Sequence, residues 1–187
     1  MSRIVDRGAI IAAYVGIGMA VTIVVSFQLI IPIEWVVWLL AIPSGVIIGY
    51  YANQRSDRRL GPWHRIATNG LFAGLVTGLA IALSLLLVKA IFFYADDGYR
   101  DPGLGGRITC TGGADCVYRR YLDAGRGPEL EAAGVTDAGS FTAFYWREQF
   151  ATAGTLIVVT TLGGLGGAAI YGATRPKPRV AESIAAR

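Results

Sequence analysis

Charged residues punctuate this chain at long intervals. Between Arg7 and Glu34 lie 26 residues without a charge, between Glu34 and Arg55 20, between Arg65 and Lys89 23, and between Glu148 and Arg175 26. An α-helix rises about 1.5 Å per residue, so about 20 apolar residues cross a hydrocarbon core of about 30 Å. Each run suffices for one crossing. A core helix of a water-soluble protein keeps one polar face, and these runs show none. The pattern predicts an all-α integral membrane protein. Its four transmembrane helices, over about 8–31, 34–52, 67–93 and 149–173, are expected to pack as a bundle. The first apolar stretch exceeds the usual signal-peptide core of ~7–15 residues, so it reads as an uncleaved first helix.

The domain organisation follows. Residues 1–93 carry the first three helices, 94–149 form an extracytoplasmic segment, and 150–187 hold the fourth helix and a tail. Within 94–149, Val117, Tyr118, Tyr121 and Leu122 have the spacing of a short apolar helical face. Gly127-Pro128 before Glu129 and Glu131 reads as a helix start, with Gly134 as its stop. Ser140 is placed to cap a last helix that begins well before the fourth apolar run. The segment looks ordered, yet too small to build a core alone.

Composition agrees with the membrane reading. Of 187 residues, 53% are hydrophobic and 16% charged, against about 25% charged in a typical soluble domain. Mean hydropathy is +0.49. The side bearing the N-terminus, the 55–65 connector and the tail sums to +7, and the side bearing Glu34 and 94–149 sums to −4. By the positive-inside rule both termini are expected in the cytoplasm. The isoelectric point near 9.3 then reflects threading and contact with lipid headgroups, and no nucleic-acid partner is expected. Tyr50, Tyr51, Trp63 and Tyr171 near one interface, and Trp35, Trp38, Phe92, Phe93, Tyr94, Tyr145 and Trp146 near the other, read as belt anchors.

Helices in lipid associate through close backbone approach, which small residues four apart permit. Gly70, Gly74 and Gly78 form the strongest such stripe, and Gly163 and Gly167 form another. Pro43 lies mid-span in the second helix, where it removes a hydrogen-bond donor and is expected to kink the helix. Lys89 is the one charge inside the third apolar stretch, about a turn from its end, where its stem can snorkel outward.

Cys110 and Cys116, the two cysteines, enclose Thr-Gly-Gly-Ala-Asp on the expected outer face. An oxidising compartment favours a disulfide between them. One histidine, His64, cannot build a metal or haem site, and no phosphate loop, dinucleotide fingerprint or nucleophile elbow occurs. No catalytic, cofactor or metal site is expected. The abundance of Arg, Gly and Ala suggests GC-rich coding and a bacterial inner membrane. What remains is a non-enzymatic membrane protein, an accessory, assembly or scaffold subunit whose outer segment and helix faces meet other membrane subunits or its own copies. The alternative is a small oligomeric transporter or channel with Pro43 and Lys89 near its path.

Overall fold

The computed structural model describes residues 5–30, 34–57, 61–95 and 112–175. They are helical: α1 spans Arg7–Val24 and continues as a π-helical turn over Val25–Ile30. It is followed by α2 (Glu34–Gln54), α3 (Trp63–Ala95), α4 (Ala114–Asp123), α5 (Gly127–Ala132) and α6 (Ala138–Thr174). Four of these helices are long and apolar enough to cross a membrane. The protein is therefore a helical membrane protein.

Two of the spans outrun their apolar stretches. α3 begins at Trp63, four residues before the expected 67, because the Pro62 carbonyl accepts from the Arg65 and Ile66 amides at 3.0 and 3.4 Å. His64 and Arg65 thus lie on its first turn. α6 has 37 residues, about 55 Å of helix, and starts at Ala138. Its cap is Asp137, not Ser140. Asp137 Oδ1 accepts from the Ser140 amide at 2.7 Å, and Ser140 Oγ accepts from the Asp137 amide at 3.2 Å. This is a capping box with Ser in place of the usual Glu at the third helical position. Apolar runs mark the part of a helix in lipid; caps and prolines mark where the helix ends.

The chain divides into two compact units, Met1–Ile81 with Leu156–Arg187, and Ala82–Thr155. In the first, glycines let backbones meet. On α1 the buried positions Ala12, Gly16, Ala20, Val24 and Gln28 recur every fourth residue. Four residues overshoot one α-helical turn by about 40°, and the wider π turn at Val25–Ile30 lessens that drift. Gly16 lies against Thr77 of α3, and Gly8 lies against the Ala52–Ser56 backbone at the end of α2. α6 meets two helices with two edges. Gly163 and Gly167 face the α2 backbone at Ile42, Val46 and Tyr50, while Gly164 lies against Gly45 and Gly49 of α2 as well as Gly70 and Gly74 of α3.

The second unit packs by bulk. Phe93, Val117, Leu130, Val135, Phe141, Phe144 and Tyr145 form one buried cluster, with Tyr118, Tyr121 and Trp146 against it. So the segment does build a core. It does so by borrowing the end of α3 and the first turns of α6, which lie inside the same unit. Leu122, expected on the apolar face of α4, is instead exposed at 43%.

Candidate functional site

Among the described residues, three features are candidates: packing seams, a polar clasp and a shaped surface. The seam residues come first. A Cβ added to Gly70 would lie 2.5 Å from the Ala168 Cβ, and one added to Gly164 2.5 Å from the Gly70 carbonyl oxygen. At Gly74 and Gly78 the nearest atoms, 3.0 Å away, are the Cα atoms of Gly164 and Ile157. At Gly163 it is the Ile42 carbonyl oxygen at 2.7 Å, and at Gly167 the Val46 carbonyl. Gly164, which spacing placed on an adjacent stripe, sits at the centre of the α3–α6 contact. Thr160, one turn away and fully buried, has a hydroxyl with no hydrogen-bond partner among the described residues.

The two residues singled out for a transport path lie in different units, Pro43 in the first and Lys89 in the second. Pro43 leaves α2 continuous from Glu34 to Gln54, and it lies on the exposed face, away from the buried Ala41, Ser44 and Gly45. Lys89 is half-buried in the second unit, where its backbone carbonyl accepts a long 3.4 Å bond from the Tyr145 hydroxyl.

A polar clasp went unread in the sequence. Asp6 Oδ2 accepts from Ser56 Oγ at 2.7 Å and from Asn69 Nδ2 at 3.2 Å. Asn69 Oδ1 accepts from the Asp6 amide at 3.3 Å. Asn53 Nδ2 donates to the Gly49 and Ile66 carbonyls at 3.0 and 3.1 Å, and Asn53 Oδ1 accepts from Asn69 Nδ2 at 3.4 Å. Arg65 lies 3.9 Å from the Asp6 carboxylate. Asn53, Ser56 and Asn69 are all buried. Buried amides and hydroxyls are costly unless bonded, so this mutual satisfaction ties the start of α1 to the end of α2 and the start of α3. Two asparagines near the ends of apolar runs were the available signal.

The second unit carries the shaped surface. α4 and α5 each end in a left-handed glycine cap. Gly125 (φ +78°) donates to Leu122 O while Arg126 N reaches Tyr121 O at 3.0 Å. Gly134 (φ +72°) donates to Glu131 O while Val135 N reaches Leu130 O at 2.9 Å. Both are Schellman motifs, and positive φ suits glycine. In the second, Val135 and Leu130 add the usual apolar contact, both being in the core. In the first, the Arg126 guanidinium replaces it, 4.2 Å from the centre of the Tyr121 ring. Arg126 also holds Glu129 with two bonds of 2.7 and 2.8 Å and approaches Glu148 at 3.8 Å. The pairing pulls the Glu129 carboxyl below its ordinary range and raises Arg126. Asp137 is lowered likewise, by the Ser140 amide and hydroxyl.

The rings of this unit do not all act as belt anchors. Phe93 and Tyr145 are core residues, their rings 4.8 Å apart, and Tyr171 in the other unit is buried edge-on against Tyr50 at 5.6 Å. Tyr94 is exposed, stacked on Trp146, which in turn meets exposed Phe150. The chain returns to α3 at Gly113, whose amide donates to Phe93 O at 2.6 Å. Cys116 is buried in the first turns of α4, while Cys110 lies outside the described residues. Among the described residues, no three His, Cys, Asp or Glu side chains gather as a metal-binding group would require.

The class these features define is a four-span helical membrane protein with a folded segment between its last two spans. No protein-family model, curated protein or solved structure matches the chain.

Proposed function

We propose that the protein is a non-enzymatic subunit of a membrane assembly, an accessory or scaffold component that presents its second unit to other membrane proteins. The observation that carries this reading is the unit itself. Two short helices, two glycine caps and a seven-residue buried cluster hold a defined surface on the ends of two long helices. Binding surfaces gather on segments held by a rigid scaffold.

The same proposal sets the helices as one four-helix bundle, with both termini in the cytoplasm and 94–149 outside. The charge asymmetry of +7 against −4 supports that orientation. On that side a Cys110–Cys116 disulfide would close a short ring beside the first turn of α4, adding local stiffness to the recognition surface.

The test is a photo-crosslinking residue at Leu122, exposed on the second unit, compared with one at Leu87, exposed on α3. In native membranes the Leu122 probe should give one defined heavier adduct with another membrane protein. Adducts from Leu87 with none from Leu122 would mean that recognition runs through the helix faces.

A further inference from the structure

Arginine lies over an aromatic ring in both units, with different company. Arg126 over Tyr121 is neutralised by Glu129 and approached by Glu148. In the first unit the same pairing is left positive. Arg55 lies 5.5 Å from the centre of the Tyr51 ring, and its Nε donates to the Tyr51 hydroxyl at 3.1 Å. Arg175 lies 5.7 Å from the Trp63 ring, and one terminal nitrogen donates to the Gly61 carbonyl at 2.5 Å. Neither forms an ion pair with a carboxylate among the described residues, and nor does Arg7. The Gly8 backbone, next in the chain to Arg7, lies against the backbone of Arg55 and Ser56. Asp6, at the start of α1, is bonded to Ser56 and Asn69 and paired with Arg65.

Among the described residues, the Arg55 and Arg175 guanidiniums thus each commit one donor, leaving most of their five, while the bond and the ring fix their positions. A planar fork held in place matches a phosphate oxygen pair. Tyr51 and Trp63 are of the kind that collect at headgroup depth in a bilayer. Both pairs sit at ends of membrane-spanning helices, on the edge where the chain's positive charge gathers.

We propose that this edge, with Arg55 on Tyr51 and Arg175 on Trp63, binds the phosphodiester headgroups of anionic phospholipids. The proposal rests on the membrane placement of the four spans and is independent of recognition by the second unit. Anionic lipid would dock between helix ends as a fixed ligand, beyond the diffuse attraction that any basic edge exerts.

The full chain is reconstituted in nanodiscs of phosphatidylcholine, with or without phosphatidylglycerol, and compared with Arg55→Gln/Arg175→Gln and with Arg119→Gln, an exposed arginine of the second unit. Phosphatidylglycerol should raise the unfolding temperature of the wild type and of Arg119→Gln. The double variant should lose most of that rise, with retention of the lipid weakened about fivefold per arginine, the equivalent of about 1 kcal/mol for each. An equal rise in all three proteins overturns the proposal. So does an equal rise from inorganic phosphate added to phosphatidylcholine nanodiscs. A second measurement needs no variant. Wild type extracted from equimolar vesicles and washed in zwitterionic detergent should carry phosphatidylglycerol over phosphatidylcholine by mass spectrometry, and equal amounts of the two would sink the idea.

Discussion

The two units pack by opposite means. In the first, the closest contacts are glycine against backbone, such as Gly164 on Gly70 and Gly74, or Gly163 on Ile42. In the second, the core is Phe93, Phe141, Phe144 and Tyr145 with three aliphatic side chains. On the proposed threading, the difference follows the solvent. Lipid tails are as apolar as leucine, so large side chains gain little by leaving them, and association depends on close approach and polar bonds. In water the same aromatic rings bury about 150–250 Å² each and dominate the energetics. The same 37-residue helix, α6, follows the aromatic rule at its start and the glycine rule further along.

The sharpest way to break this comparison is to exchange the injuries. Phe141 is fully buried and touches Tyr118, Tyr121, Phe144 and Tyr145. Phe141→Ala should cost about 3–5 kcal/mol of the second unit's stability. Hydrogen exchange should show α4 and α5 opening while amides in the middle of α2 stay protected. Loss of protection in α2 to the same degree would show that the units do not fold separately.

Gly164→Leu makes the converse injury, placing a side chain where backbone already stands. It should lower the detergent unfolding midpoint by the equivalent of about 1–3 kcal/mol. Gly18→Leu, at a position with nothing within 4 Å of an added Cβ, should leave the midpoint in place. Equal effects would mean that backbone contact contributes nothing special to the spans.

The smallest effect is electrostatic. Asp137 is held below its ordinary value of 3.8 by Ser140, so its folded form favours the carboxylate. The sign is that of a depressed acid: the contribution is full above the unfolded value and fades as pH falls through the folded one. Protection of the first α6 amides should therefore weaken only below about pH 4. Asp137→Asn should flatten the part of that slope which Glu129, also lowered, does not supply. A slope unchanged by Asp137→Asn would remove the cap from the account.

Much of the architecture was legible as charge spacing. The four spans could be read because a charge is costly in lipid, so apolar runs are bounded by charges whatever the packing. The α5 start at Gly127-Pro128 and its stop at Gly134 were legible because backbone chemistry there is local. What stayed hidden depends on which way a side chain faces. Phe93, Tyr145 and Tyr171 have the composition of belt anchors and the burial of core residues. The spacing of Phe141, Phe144 and Tyr145 was a helical-face signal within reach. The Asp6–Asn53–Ser56–Asn69 clasp was hidden for another reason. Asparagine and serine near a span's end resemble the start of a loop, and only the partner's position shows them bonded. The glycine register was plain, whereas which helix each glycine would meet was not.

The return of the chain to α3 has a consequence for how this protein can vary. Gly113 bonds the carbonyl of Phe93, so the connection that leaves at the end of α3 is brought back to where it left. A connection with both ends pinned side by side transmits little of its own length to the structure that pins it. Closing a loop of twice the length costs only about 0.6 kcal/mol more. Evolution can therefore lengthen or shorten the chain between these anchors at small cost, provided that Cys110 keeps its spacing to Cys116. It is also where an experimenter would splice in an epitope, a fluorescent protein or a binding module, leaving the helices beneath unaltered.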